Sequence, residues 1–284
     1  MIYTVVMVSY NRDIKLRESV RQLLATSLDF LVIVDNNSKQ QTRDVLFEVS
    51  QNDKRVKLIQ LEENRGASFG FFTGLNYIEN KHPNSVTIFL DDDAYFTQNF
   101  LDVLKKNIGL NGGFFSFITP KVVNKNGMRL NMNRPMTIIP NGIRKMFSYL
   151  RKRRTFGDNN ESVEAASFIG LTIVNNNDFK KSALIPVDYF IYYDDLTYTY
   201  RLSKHSGMPG IYISDLLVIH DMANGTREYD SFRLSYLLTN SRKFSKEVGD
   251  RLFIYSFLIH SYHFLNCFRK LTFMVFIKAL MRKK

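Results

Sequence analysis

Three consecutive carboxylates, Asp91, Asp92 and Asp93, close the apolar run VTIFL at 86–90. Side by side they repel one another, so the arrangement is stable only where a cation or hydrogen bonds compensate. A divalent ion such as Mn²⁺ or Mg²⁺ does this, because hard cations prefer carboxylate oxygen. Alternate residues of an extended segment point the same way, which selects Asp91 and Asp93 as the ligand pair and leaves Asp92 without a role. The competing reading is a solvated acidic turn. His220, at the end of the run LLVIH, offers a neutral imidazole that can complete a carboxylate metal site, although a lone histidine after a strand is more often structural.

A second acidic pair stands in FIYYDDLTYTYRL, where Asp194 and Asp195 precede a helix-like segment through Leu202. Asp is a preferred N-cap and complements the helix dipole, so one of the two has a purely structural reading. A carboxylate flanked by Ile191, Tyr192, Tyr193 and Leu196 is also partly desolvated, which raises its pKa and suits a general base. Asp195 is therefore the candidate base for removing a hydroxyl proton, with Asp194 supporting it. Weaker signals lie elsewhere. Arg12 offers a fixed cationic fork to a diphosphate. Asp35 can accept a hydrogen bond from a base or ribose, and Asn64 precedes Gly66 at a helix start whose first amides could face an anion. A surface turn is the default reading for each of these three.

The elements that must position these residues follow from periodicity. Strand-like runs at 2–9, 31–34, 56–61 and 86–90 alternate with helix-period segments, one at Leu16, Val20, Leu23 and Leu24 with Asp13 as its cap, one around Val45, Leu46 and Val49, and a Gly-bearing one from 66 to 78. This is βαβαβαβ, a parallel sheet covered on both faces. Ligands bind beyond the carboxyl ends of such strands, and SYNR, DNNS and DDDAYF stand at three of those ends. Thr97 is placed to cap a helix through Phe100, Leu101 and Leu104. The stretch 112–157 reads as a mixed region with mobile loops. Strand character returns at 163–174 and in IYISDLLVIH, and from Tyr229 onward the pattern is helical.

A chain of 284 residues suits one large α/β domain with an appendage. One cysteine, Cys267, excludes an internal disulfide and favours a reducing, cytosolic setting. MIYTVVMVSYNRD has no basic leader and its apolar run is too short for a signal peptide, so the chain is expected to start with a core strand. The net charge of +12 implies an anionic partner. One basic cluster is Arg144, Lys145 and 151–154; the other is the tail, where no acidic residue follows Asp250 and Lys and Arg are mixed with Phe, Leu and Ile. Basic plus apolar points to a lipid surface. From Leu252 to Phe268 a helix would set Ser256, His260 and His263 on one stripe and phenylalanines elsewhere, which suits an interfacial helix; packing on the domain or an oligomer contact is the alternative. Nucleic acid is not an expected partner. There is no aromatic RNA-binding signature, helix-turn-helix pattern or zinc spacing, and the acidic strand ends repel phosphate unless a metal is bound. A nucleotidyltransferase would carry a Gly-rich basic loop after the first strand, and SYNRDIKLR is not that loop.

In order, VVMVSYNR, VIVDNNS, ENRGASFGFFTGLNY, IFLDDDAYF, FIYYDDLTYTYRLSKHSG, LLVIHD and SYLLTN resemble family 2 glycosyltransferases of the GT-A fold. LDDDA, YDD before a helix and a late His look like the branch with bacterial galactofuranosyltransferases, with rhamnosyltransferase-like proteins close by. The resemblance implies an α/β GT-A domain over 1–225, a Rossmann-like nucleotide-binding sheet with a mixed acceptor side; the residues after it, 226–284, read as a helical membrane-associating or oligomerising segment. The resemblance also implies Arg12 and Asn64 on the nucleotide diphosphate, Asp35 on the base, Mn²⁺ or Mg²⁺ on Asp91, Asp93 and His220, and Asp195 as base in an inverting transfer. The donor expected is UDP-galactofuranose or dTDP-rhamnose. The acceptor expected is a glycan or polyprenyl-linked glycan of bacterial surface polysaccharide, with the enzyme peripheral on the cytoplasmic face of the membrane. Two departures touch the acceptor side: the chain has no Trp and offers Phe168, Tyr192 and Tyr193, and the family's YYLxRN appears as SYLLTN, with Thr239 for Arg.

Overall fold

A computed structural model describes residues 1–157, 159–222, 230–269 and 272–282. The first third is the expected alternation: β1 (Tyr3–Ser9), α1 (Asp13–Leu24), β2 (Phe30–Asp35), α2 (Gln40–Asn52), β3 (Val56–Gln60), α3 (Gly66–Lys81) and β4 (Val86–Asp91). These strands run parallel in the order β3-β2-β1-β4. Every residue of β1 is buried because both faces of the sheet are covered. Its alternating side chains feed two cores. Val5 and Met7 join Leu16, Val20 and Leu23 of α1 and Leu46 of α2, while Val6 and Val8 join Phe71, Leu75 and Ile78 of α3. The contact with α3 is close, and a Cβ on Gly74 would lie 2.6 Å from Val6 Cγ1.

The sheet then changes direction. β5 (Ala94–Phe96), α4 (Phe100–Leu110), β6 (Ile118–Val123), α5 (Ile143–Thr155), β7 (Glu161–Val163), β8 (Thr172–Val174), α6 (Asp194–Ser206) and β9 (Gly210–His220) follow. Beyond β4 the order is β8-β6-β9-β5, with β7 also on β9. The long β9 runs parallel to β6 and antiparallel to β5 and β7. Three helices end the chain: α7 (Ser231–Glu247), α8 (Ile254–Arg269) and α9 (Phe273–Met281). The expected boundary between 225 and 226 lies outside the described residues. α7 packs on the α/β body. Its Asn240 and Lys243 bond to residues 188–192, and its Phe244 shares a core cluster with Met136 and Met146.

Four local expectations are corrected. Asp13 does not cap α1; Arg12 holds the cap position without a side-chain capping bond, and Asp13 lies in the first turn, where it complements the dipole. Thr97 does not cap α4 either, since Asn99 occupies that position and Thr97 Oγ1 donates to Asn99 Oδ1 at 2.9 Å. The region 112–157 holds strand β6 and helix α5, with a register shift between Pro120 and Lys121 that accommodates the proline in the strand. The expected strand at 163–174 is two short strands around an irregular stretch that carries Phe168 into the core.

Candidate active site

Asp91, Asp93 and His220 meet at the end of β4. One ligand atom from each lies within 4.8 Å of the others. The sheet brings them together: β5 pairs with β9 so that Ala94, next to Asp93, faces His220, and Asp221 N–H donates to Asp93 O at 2.7 Å. The His220 ring is buried and held at both nitrogens. Nδ1 is 3.1 Å from Asn133 Oδ1, and Nε2 is 3.1 Å from Asp93 Oδ1. Asn133 Nδ2 donates to Ser167 Oγ at 3.3 Å, which orients the amide so that its oxygen accepts from Nδ1–H. Nε2 then faces the Asp93 carboxylate across 3.1 Å. Two carboxylates and one imidazole suit a divalent ion of the Mn²⁺ type, and the Asn133 contact is the outer support that metal-binding histidines use.

Cations compensate the triplet from the other side. Arg12 pairs with Asp93 and lies 3.4 Å from Asp92, and Lys15 Nζ is 4.0 Å from both Asp93 and Asp221. Burial alone would raise the Asp93 carboxyl. The hydrogen bond and charge of His220 and the charges of Arg12 and Lys15 more than offset it, and Asp93 sits below the ordinary carboxylate range. Asp92, left without a role by the sequence, is buried and ties two strand ends together. Its Oδ2 accepts from Ser9 Oγ and Tyr10 N–H, both at 3.1 Å. Burial, opposed by the attraction of Arg12, lifts its carboxyl to about 7.

Asp194 and Asp195 open α6 and line the same cavity as Asp91 and His220, a cleft of about 550 Å³. Neither Asp is the N-cap; Tyr193 holds that position, in the left-handed region. Tyr192 and Tyr193 have φ of 68° and 66°, conformations that cost on the order of 1–3 kcal/mol each for side chains of this kind. The turn is pinned by Asn240 of α7, whose Nδ2 donates to the carbonyls of Ile191 at 2.9 Å and Tyr192 at 3.2 Å. Burial dominates the raised pKa of both carboxyls. Asp195, partly exposed to the cleft, rises to about 7 despite accepting from Leu196 N–H, and Asp91 adds to the rise. Asp194, buried beside it, is also raised well above the ordinary carboxylate range, by burial and then by the charge of Asp195.

The nucleotide-side candidates divide. Arg12 and Asn64 line the cleft. Asn64 Oδ1 accepts from Gly66 N–H at 2.9 Å, and Ala67 N–H donates to Phe190 O at 3.0 Å, so these two amides of α3 are not left for an anion. Gly66, at φ 84°, is required here; a Cβ would lie 2.2 Å from Phe190 O. Asp35 is fully buried behind the cleft wall, where its neighbour Asn36 takes the lining position. Asp35 Oδ1 accepts from Ser38 N–H at 2.9 Å, while Oδ2 makes no hydrogen bond among the described residues and lies 3.6 Å from Arg43 Nε.

Asn133 and Asn240 carry no role in the sequence reading, and neither do Arg134 and Arg233, which line the cleft together with Lys152 of the basic cluster. Only Asn240 had a signal, as the last residue of SYLLTN; Thr239 beside it faces solvent. Phe168, Tyr192 and Tyr193, the aromatics offered in place of Trp, all line the cleft.

Comparison with known proteins is consistent with this arrangement. Among solved structures, GalNAc-T7 with UDP, GalNAc and Mn²⁺ has a TM-score of 0.61 at 15% identity over 84% of this chain. This chain spans 46% of that protein, less than half its length. Residues 1–349 of S. aureus TarS give 0.56 at 16% identity, covering 99% of this chain and 81% of that one. The mannosyltransferase PcManGT from Pyrobaculum calidifontis, with GDP-Man and Mn²⁺, gives 0.55 at 16% identity, covering 98% and 73%. These likenesses show the GT-A fold. A sequence search of curated proteins finds no significant match. The family model for glycosyl transferase family 2 matches residues 4–171, more than half of the chain and the whole span from β1 to the acidic triplet and Phe168. The chain belongs to glycosyl transferase family 2.

Proposed function

We propose that the protein is an inverting, metal-dependent glycosyltransferase that moves a sugar from a nucleotide-diphosphate donor to a hydroxyl of a glycan or polyprenyl-linked glycan. The observation that carries this reading is the placement of a two-carboxylate, one-imidazole cluster and a separate, partly desolvated carboxylate, Asp195, around one cleft. UDP or GDP-Man with Mn²⁺ in structures of similar fold supports the class of donor.

Asp91, Asp93 and His220 would hold Mn²⁺ or Mg²⁺. When bound, the ion supplies positive charge to the diphosphate as it departs. Arg12 and Asn64, on the cleft wall, meet the diphosphate, and Asp35 acts on the base through the turn it orders, whose Asn36 lines the cleft. Asp195 takes the proton of the acceptor hydroxyl as its oxygen bonds to the anomeric carbon and the bond from that carbon to the diphosphate breaks. One displacement of this kind inverts the anomeric centre. A carboxyl raised to about 7 is matched to proton transfer near neutral pH, with the buried Asp194 as its supporting neighbour.

The donor in this proposal is UDP-galactofuranose and the product a bacterial surface polysaccharide built on the cytoplasmic face of the membrane; the similarity of LDDDA, YDD and the late His to that branch supports it. A thermal-shift panel of UDP-galactofuranose, dTDP-rhamnose, UDP-GlcNAc and GDP-Man, each with and without Mn²⁺, tests the reading. UDP-galactofuranose is expected to give the largest Mn²⁺-dependent rise. Selective stabilisation by dTDP-rhamnose would replace the donor, and no stabilisation by any nucleotide sugar would overturn the enzyme reading.

A further inference from the structure

The outward side of α8 is its apolar side. Ser256 and Cys267 are buried and His260 Nε2 lies 2.9 Å from Leu238 O of α7, so the polar stripe of this helix faces the protein. Phe257, Leu265 and Phe268 point away from it, 68%, 52% and 65% exposed. α9 continues the surface: Phe276 and Ala279 are buried against α7, while Met274 and Met281 are exposed. Apolar side chains on the surface are ordinary when scattered and informative when contiguous. Neither helix is long and apolar enough to cross a membrane.

We propose that this face docks on an anionic lipid surface, with α8 and α9 lying in the plane of the interface. Charge selects this occupant. Every charged residue after Asp250 is Lys or Arg, and Arg251, Arg269, Lys278 and Arg282, on or next to these two helices, are exposed. A second copy seated on the same face would set these cations against their own kind. Anionic headgroups beside hydrocarbon meet both features at once. The surface is joined to the cleft through α7, because Arg233 and Leu237 line the cleft and Leu237 also packs on the cluster formed with α9. The inference stands on this face and not on the reaction proposed above; where both hold, a lipid-linked acceptor reaches the cleft from the docked side.

The test is flotation of the full chain with phosphatidylcholine vesicles, with and without phosphatidylglycerol. The native chain is expected to float with the phosphatidylglycerol vesicles and to bind pure phosphatidylcholine at least about tenfold more weakly. Phe257→Ser/Leu265→Ser/Phe268→Ser and, separately, Arg269→Glu/Lys278→Glu should each lower binding by about tenfold or more, with circular dichroism and the nucleotide-induced thermal shift unchanged. The charge variant leaves the apolar packing alone, so it decides the matter if the triple variant misfolds. Failure of the native chain to float with either vesicle would overturn the proposal. So would a dimer in sedimentation velocity that the triple variant dissolves.

Discussion

The two walls of the cleft position their carboxylates by different means. On one wall, Asp91, Asp93 and His220 stand at the ends of hydrogen-bonded strands, and the β5–β9 register places the histidine beside the triplet. On the other, Asp195 follows two left-handed tyrosines held by a single asparagine from a helix that comes after the whole α/β body. A ladder distributes the cost of holding a side chain over many backbone bonds. A strained turn concentrates it on a few side-chain bonds, so single substitutions there should alter turnover without disturbing the nucleotide site.

The largest effect expected is on Asp195→Asn. Turnover should fall about 10²- to 10⁴-fold, the usual worth of a positioned base, while Mn²⁺-dependent nucleotide affinity holds; near-normal turnover would remove Asp195 from the mechanism. Next comes the wall built from strand ends. Asn133→Ala frees one nitrogen of His220, and metal affinity measured by Mn²⁺ titration should drop about 10- to 100-fold, with the fold intact. Unchanged affinity would mean that the ring needs no such support. Asn240→Ala strands two carbonyls and should cost about 1–3 kcal/mol of stability in chemical denaturation. It should lower kcat with little change in nucleotide affinity, and equal loss of both would erase the proposed contrast between the walls.

The smallest effect is in pH, and its two halves have opposite signs. Activity needs the ionised Asp195 and should rise with pH through about 7. Stability should move the other way. A carboxyl raised in the folded state contributes stability that is full below its unfolded value, near about 4, and is lost as pH climbs through about 7. Thermal melts from acid to neutral pH should show the decline, reduced in Asp195→Asn. Because Asp195 is partly open to the cleft, the decline is small.

These differences also explain what could be read in advance. The first four strands, their helices and the triplet were legible because burial on both faces writes continuous apolar runs, and strand ends mark where polar residues matter. His220 was legible as a residue type, but its proximity to Asp93 comes from a ladder between segments more than a hundred positions apart, which no local pattern encodes. β6 was hidden by Pro120 and Lys121 within its run, and α5 by its many cations. Asn133 and Asn240 are ordinary turn and helix residues in sequence and acquire a role only from what the fold sets against their amides. The polar stripe of α8 was visible; which way it faced was not, because the preference of apolar side chains for the interior predicts the opposite orientation in water.

The central claim is that Asp91, Asp93 and His220 form a divalent-metal site that serves nucleotide binding. Its most direct test is Mn²⁺ titration in the presence of UDP, followed by electron paramagnetic resonance, on the native chain and on Asp91→Ala/Asp93→Ala. One tightly held ion per native chain, lost in the double variant together with Mn²⁺-dependent UDP binding, is the predicted result. The same ion and the same UDP affinity in both proteins would contradict it.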